Sequence, residues 1–172
     1  MRWDEFAAAC PEIADRAKER FGAHELCMLG TLRADGSPRI SPCELDHAAD
    51  ELMLGMIWQS RKARDLLSDP RVVLHSCTTD RMGSEGDVKI YGHAIDVRDE
   101  SRRKAYQEAI RARIDWAPEE PRFHVFAIDV RSAGYITFTD PRRALAWDPE
   151  RGCENFPSPR PSEAQPTFVI GA

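Results

Sequence analysis

The chain has 172 residues and a formal net charge of -5, and 42% of its residues are hydrophobic. This length predicts one domain that buries a core without cross-links, and the charge disfavours a non-specific nucleic-acid binder, whose surface would be basic. The sequence contains no apolar run of about 18 residues, so no membrane span is predicted. The acidic start, Met1–Glu5, differs from a secretory signal.

The cysteines are spread along the chain without a C-x-x-C pair. Zinc sites and disulfide frameworks need closer spacing. We therefore expect no metal site. We expect the cysteines to be free thiols in a protein of the reducing cytoplasm. The cysteines are Cys10, Cys27, Cys43, Cys77 and Cys153.

The predicted elements begin with a helical region over residues 3–21, in which a second helix can start at Pro11. Strands are then predicted over residues 26–32, 38–45 and 51–58. The Asp35-Gly36 pair predicts a hairpin between the first two strands. Pro42 has no N–H group, so the second strand should lie at a sheet edge or carry a bulge.

The second half of the chain predicts more strands and two helices. Ser60 caps a short helix that ends at Ser68, and Asp99 caps a longer helix that ends near Ile114. Strands are predicted over residues 71–78, 88–97, 123–130, 134–139 and 144–147. This pattern is typical of a mostly β (α+β) fold with a small, mainly antiparallel barrel. The prolines of residues 148–172 predict an irregular tail after a single domain of residues 1–147.

The first turn of the short helix is rich in cations, namely Arg61, Lys62 and Arg64. The helix dipole disfavours cations at this end. Free N–H groups, the Ser60 hydroxyl and the cationic side chains would together suit a phosphate. The alternative is a solvated basic face that Asp65 and Asp69 compensate.

Four other side chains have two interpretations each. His75 lies beside Cys77 as a possible metal ligand, and His93 and His124 are possible proton donors; for all three we expect a structural role. Trp147 suits either the edge of a cofactor or ordinary packing.

Four motifs follow one another in a distinctive order. They are Leu29-Gly30-Thr31-Leu32, Asp35-Gly36-Ser37-Pro38-Arg39, Ser60-Arg61-Lys62-Ala63 and Tyr91-Gly92-His93-Ala94. Over about residues 20–140 the sequence resembles the pyridoxamine 5'-phosphate oxidase-like, FMN-binding split-barrel superfamily. The resemblance implies a split β-barrel of six to eight mainly antiparallel strands with flanking helices. It also implies a homodimer with two cofactor sites at the subunit interface.

The resemblance also implies roles for individual residues. The residues implied to lie along the flavin ring are Arg39, Ile40, Ser41 and Pro42. Close to the ring or the ribityl chain would lie Gly55 and Met56, and the phosphate would be bound by Ser60, Arg61 and Lys62. Asp87 stands where the oxidase has a glutamine that faces the flavin from the second subunit.

The function implied is a flavin-dependent oxidoreductase that transfers a hydride to or from an unidentified small molecule. FMN is the implied cofactor, and a deazaflavin coenzyme is the alternative, since Arg64 would suit a longer phosphate-bearing tail. The oxidase's arginine-leucine-histidine motif is replaced by residues 146–149, so we expect no true pyridoxamine 5'-phosphate oxidase. A non-catalytic flavin- or haem-binding protein is the alternative function, and no catalytic residue is assigned.

Overall fold

The computed structural model describes residues 1–139 and 141–156, which form four helices and eight strands. The helices are α1 (Trp3–Ala9), α2 (Pro11–Gly22), α3 (Arg61–Ser68) and α4 (Glu100–Ile114). The strands are β1 (Leu26–Leu32), β2 (Pro38–Ala48), β3 (Glu51–Ile57), β4 (Arg71–Ser76), β5 (Asp87–Asp96), β6 (Phe123–Thr137), β7 (Arg143–Asp148) and β8 (Gly152–Phe156). Within this described part, no helix is long and apolar enough to cross a membrane.

Six strands close into an antiparallel barrel in the order β3-β2-β1-β4-β5-β6. The closing pair joins residues 53–57 of β3 to residues 123–127 of β6. β7 and β8 extend the sheet beyond the second half of β6. The predicted mostly β fold with a mainly antiparallel barrel and flanking helices is therefore confirmed.

β6 is one long strand where the sequence predicted two. Its pairing with β5 shifts register between Tyr91 and Gly92, which pair with Ser132 and Val130. Arg131 is thereby skipped, so the polar residues that suggested a break lie at a bulge inside the strand. The prediction of two separate strands was wrong. The first half of β6 closes the barrel and the second half carries β7.

A hairpin stands at the start of the predicted C-terminal tail. The Asp148 carboxylate accepts hydrogen bonds from the backbone N–H groups of Glu150 (3.0 Å) and Arg151 (2.9 Å), and Gly152 adopts φ +75°. This turn brings β8 back against β7. The expectation of irregular structure was therefore wrong for residues 152–156. Residues 157–172 lie outside the described residues, and the domain boundary stays a prediction.

A disulfide joins Cys10, between α1 and α2, to Cys153 on β8. Their Cα atoms are 5.6 Å apart, within the usual range for a disulfide. The expectation of free thiols was wrong for this pair, because the β8 hairpin brings together cysteines 143 positions apart. The free cysteines are Cys27, Cys43 and Cys77.

The core fills the barrel and continues under the helices. The interior holds Leu29, Leu54, Leu74, Ile90 and Phe126, all fully buried. A second cluster forms where Tyr106 and Ile110 of α4 pack on β6. Trp147 is buried and its ring meets Phe6 edge-on at 4.8 Å, so it is a packing residue within this chain.

Candidate functional site

The first half of β2 is a free sheet edge. Residues 38–44 pair with β1, whereas β3 pairs only with residues 45–48. No other strand of the described residues covers the second side of this segment. Pro42 lies in it, which confirms that this proline marks an edge, and Ile40 is 71% exposed there.

α3 is attached to this free edge by two side chains. The Lys62 ammonium donates to the Pro42 carbonyl (2.7 Å), and the Arg39 guanidinium donates to the Asp65 carboxylate (2.6 Å). Ser60 caps the helix, as predicted, by accepting a hydrogen bond from the Ala63 N–H (3.4 Å). The structure therefore brings the predicted β2 residues and the predicted phosphate-binding turn together.

The two carboxylates that were to compensate the basic helix are engaged elsewhere. Asp65 is buried and also accepts a hydrogen bond from Thr31 (2.9 Å). Asp69 is held by Arg71, whose hydrogen bonds lower the pKa of that carboxyl to about 2. Neither carboxylate forms an ion pair with Arg61 or Arg64.

Beside α3 lies a cleft of about 610 Å³, which we call the arginine cleft. It is lined by Arg33, Ala34, Arg39, Arg61, Arg64, Asp65 and Ser68. Four arginines and one carboxylate thus line the same cleft, and of these arginines Arg39 contacts the carboxylate. Arg33 was not among the predicted site residues; it directly follows β1, before the Asp35-Gly36 turn.

A second cleft of about 600 Å³ lies between β3, α4 and the connection after α4, and we call it the apolar cleft. Its lining includes Glu44, Gly55, Met56, Ile57, Tyr106, Trp116, Arg122 and Phe123. Ile57 is 80% exposed there. Trp116 and Arg122 were missed by the sequence analysis, since they lie in an irregular connection without a recognisable motif.

Gly55 and Met56 belong to the apolar cleft and not to the arginine cleft. A Cβ atom on Gly55 would lie 1.7 Å from the Tyr106 hydroxyl, so the glycine makes room for α4. Burial raises the pKa of that tyrosine well above its ordinary value. The Met56 side chain is buried. The packing of α4 is thus sufficient reason for a glycine at position 55.

Asp87 lies apart from the α3 residues within one chain. It begins β5, which is separated from β2 by β1 and β4. Its carboxylate pairs with the Lys89 ammonium (2.8 Å) and lies 3.8 Å from the His75 ring. His75 is therefore half-buried beside the Asp87–Lys89 ion pair, and it does not lie in the core.

His124 is buried at the closing seam of the barrel, with 5% exposure. The Trp58 ring stacks on its imidazole at 4.3 Å. The buried Nε2 atom has no hydrogen-bond partner among the described residues. Burial lowers the pKa of His124, so the ring is neutral near pH 7. His124 therefore packs at the seam, as the expected structural role requires, with its buried Nε2 atom unpaired.

Several solved structures share this fold. A haem binding protein from Mycobacterium smegmatis has a TM-score of 0.63 at 20% identity, over 81% of this chain and 59% of that one. PhzG from Burkholderia lata 383, in complex with tetrahydrophenazine-1-carboxylic acid, has a TM-score of 0.61 at 15% identity, over 90% and 91%. A putative pyridoxamine 5'-phosphate oxidase from Listeria innocua has a TM-score of 0.59 at 18% identity, over 70% and 95%.

These identities establish the fold alone, and no curated protein sequence matches the chain significantly. The sequence itself matches the family model described as pyridoxamine 5'-phosphate oxidase over residues 13–137. That match spans all six barrel strands and the α3 turn. The chain therefore belongs to the pyridoxamine 5'-phosphate oxidase family.

Proposed function

We propose that this protein is a flavin-dependent oxidoreductase whose cofactor phosphate is bound at the start of α3. FMN is the cofactor we favour, and a deazaflavin coenzyme is the alternative. When bound, such a cofactor supplies hydride transfer to or from a small molecule. The chain's own residues bind and orient it.

One observation carries the proposal: the Lys62 ammonium reaches the Pro42 carbonyl at 2.7 Å. This contact fixes a cationic helix start against the free edge of β2. The first N–H groups of a helix have no partner inside the helix, and the first turn of α3 contains no acidic residue. Arg61 and Lys62, with those N–H groups, therefore fit a phosphate dianion.

We assign the flavin ring to surfaces with exposed apolar side chains. Ile40 is exposed on the β2 edge, and the apolar cleft adds Ile57 and Trp116. Arg39, Ser41 and Pro42 are the other β2 residues that we assign to the ring. Gly55 and Met56 would border it only through the apolar cleft.

We further propose a homodimer in which a second copy covers the outer face of β2, β1, β4 and β5. Ile40, Gly30, Val73 and Tyr91 form one row across these strands, and paired residues share a face. Ile40 and Tyr91 are exposed apolar residues of that row. Asp87 lies on the same face, where Lys89 balances its charge. It would then meet the cofactor of the other subunit.

The substrate we propose is a small molecule other than pyridoxamine 5'-phosphate. The oxidase's arginine-leucine-histidine motif has no counterpart in residues 146–149, which are Ala-Trp-Asp-Pro. Binding of a substrate phosphate without charged partners would be weaker by several kcal/mol.

We also propose that the protein is cytoplasmic. Alkylation of thiols in intact cells would show whether Cys10 and Cys153 are bonded there.

A non-catalytic flavin- or haem-binding protein is the second candidate. It is favoured by the fold that the chain shares with a haem binding protein from Mycobacterium smegmatis. The visible spectrum of freshly purified protein separates the candidates: flavin bands support the first, and a Soret band supports haem binding. Flavin bands without turnover by NADPH or a reduced deazaflavin support flavin binding without catalysis.

The test of the phosphate site is FMN titration of wild type and Lys62→Ala. We expect the variant to bind FMN more weakly by about 1.5–3 kcal/mol, the range for hydrogen bonds to charged groups. Lys104→Ala, an exposed lysine of α4, is the matched control and should bind like wild type. Unchanged affinity in Lys62→Ala would refute the site.

A further inference from the structure

The disulfide between Cys10 and Cys153 joins the N-terminal helices to the last described strand. Its two cysteines differ in their surroundings, because Cys10 is fully buried between α1 and α2, whereas Cys153 is an exposed residue of β8. A reagent in solution therefore reaches the bond from the Cys153 side. Exposed disulfides are the ones that exchange readily with external thiols.

β8 is held to the rest of the molecule by little else. It pairs with β7 along one edge, and no other strand in the described part of the chain pairs with it. All five of its residues are exposed or half-buried, so it contributes no side chain to the core. Apart from the disulfide, it has few contacts with α1 and α2. The S–S bond is thus the main attachment of β8 to these helices.

The elements beside β8 are held in place without the disulfide. Phe6 of α1 and Ile13 of α2 are fully buried, and the Phe6 ring meets Trp147 of β7 at 4.8 Å. Arg143 of β7 also forms an ion pair with Glu12 of α2. Cleavage of the S–S bond would therefore free β8 and leave α1, α2 and β7 packed together, as local opening of a weakly attached element.

The buried free cysteines are unsuited to compete in thiol exchange. The thiolate is the reactive form of cysteine, and burial raises the pKa of both Cys27 and Cys43. Cys77 is half-buried, and its thiol donates to the Leu26 carbonyl at 3.8 Å. The pair of Cys10 and Cys153 is therefore the part of the described chain best suited to respond to external thiols.

We propose that Cys10 and Cys153 form a reversible switch, in which a low-molecular-weight thiol attacks Cys153 and the reduced protein releases β8. The attacking thiolate bonds to Cys153 Sγ and breaks the S–S bond, and Cys10 leaves as a thiolate that takes up a proton. A second thiolate then attacks the small-molecule sulfur of the mixed disulfide. Cys153 leaves and is protonated, and the two small thiols are oxidised to their disulfide.

This proposal goes beyond the proposed function, since it requires neither the cofactor nor the arginine cleft. Disulfides in cytoplasmic proteins are usually transient and redox-sensing. A reversible bond therefore agrees with the cytoplasmic location that we propose. The test below uses purified protein, so its result does not depend on that location.

The test equilibrates the full chain with reduced and oxidised glutathione and follows hydrogen exchange of the backbone amides. We expect the bond to form in oxidised glutathione and to be lost in reduced glutathione. After reduction, the amides of β8 should exchange at least about tenfold faster, while those of β1 and α2 change by less than about twofold. A bond that resists reduced glutathione, or unchanged exchange in β8, would overturn the switch. Equal acceleration along the whole chain would also overturn it, because the bond would then hold the entire fold.

Trapping with N-ethylmaleimide during reduction of wild type identifies the sulfur that is attacked. Mass spectrometry should find glutathione on Cys153 and the alkyl group on Cys10, and the reverse assignment would overturn the proposed site of attack. Cys153→Ser, at an exposed position, should show fast β8 exchange that no longer responds to glutathione. Cys77→Ser is the matched control and should respond like wild type. A response that persists in Cys153→Ser, or is lost in Cys77→Ser, would refute the switch.

Discussion

The helices α3 and α4 both carry several arginines, but the structure uses them differently. On α4, Arg102 pairs with Glu51 (2.8 Å), Arg103 with Glu120 (2.7 Å) and Arg113 with Asp46 (2.9 Å). On α3, neither Arg61 nor Arg64 pairs with a carboxylate of the described residues.

The difference shows that a count of charges does not reveal what the charges do. Arg102, Arg103 and Arg113 of α4 neutralise acids on neighbouring elements and hold the helix on the barrel. The α3 arginines face a cleft whose only acid is satisfied by other donors. Changes on α4 should therefore lower stability, and changes on α3 should lower ligand affinity.

The largest effect on stability is expected from Arg113→Met. This side chain binds the buried Asp46 and also reaches Glu25 and Glu44. Removing it leaves a buried carboxylate without its partner, which costs about 3 kcal/mol. Urea unfolding at pH 7 measures the loss. Arg111→Met, on the same helix but exposed, should stay within about 0.5 kcal/mol of wild type.

The same variant should show a characteristic pH dependence. Burial already raises the pKa of Asp46, and loss of the Arg113 guanidinium raises it further. A carboxyl whose pKa is higher in the folded than in the unfolded state destabilises the fold when it is ionised in both states. This cost disappears at a pH below both pKa values, where the carboxyl is protonated in both states. The deficit of Arg113→Met should therefore shrink as the pH falls from 7 toward the unfolded carboxyl pKa of about 3.9. A deficit that is constant with pH would contradict this account of Arg113.

Gly55→Ala tests the contact that seats α4 on β3. The new Cβ would lie 1.7 Å from the Tyr106 hydroxyl, so the helix must shift. Overpacking of this kind costs about 2 kcal/mol. Tyr106→Phe removes the hydroxyl and should recover part of the loss in the double variant, although the ring carbon at 2.6 Å remains close. Additive losses in the double variant would show that the hydroxyl is not the obstacle.

His124→Phe should change the free energy of unfolding by a smaller amount, and it should not lower it. Because Nε2 is buried without a partner, an apolar ring of similar shape is neutral or stabilising by about 1 kcal/mol. Burial lowers the pKa of His124, so wild type loses stability as the pH falls through the unfolded value of about 6.5. The variant should lose less between pH 7 and pH 5. An equal slope would contradict the neutral, buried state of His124.

The smallest effect on stability is expected from Arg61→Gln. Its side chain is exposed and makes no ion pair with a described residue. Removing a cation from the start of a helix also relieves an unfavourable interaction with the helix dipole. Thermal unfolding without ligand should change by less than about 0.5 kcal/mol, while FMN affinity falls. A clear loss of stability would place Arg61 with the structural arginines of α4.

The sequence was sufficient where the signal is local. The Ser60 cap and the Asp35-Gly36 hairpin are set by neighbouring residues, and both are present. The sequence was insufficient where distant segments meet. Local spacing would pair Asp65 with Arg61, but Arg39 and Thr31 reach it from β2 and β1.

The same reason explains the other differences. The β6 bulge depends on the register with β5, and β8 depends on the Asp148 turn and its pairing with β7. Arg33 lines the arginine cleft together with residues of α3, which begins 28 positions later at Arg61. Of these contacts only the Asp148 turn lies within one short segment, and the pairings of β6 with β5 and of β8 with β7 depend on the register between strands.

The central claim is that the start of α3 recognises the phosphate group of a flavin. Titration of purified cofactor-free protein with FMN and with riboflavin tests it most directly, because the two ligands differ only in that group. The account predicts that FMN binds about 10- to 150-fold more tightly, as charge-assisted hydrogen bonds of about 1.5–3 kcal/mol require. Equal affinity for FMN and riboflavin would contradict it.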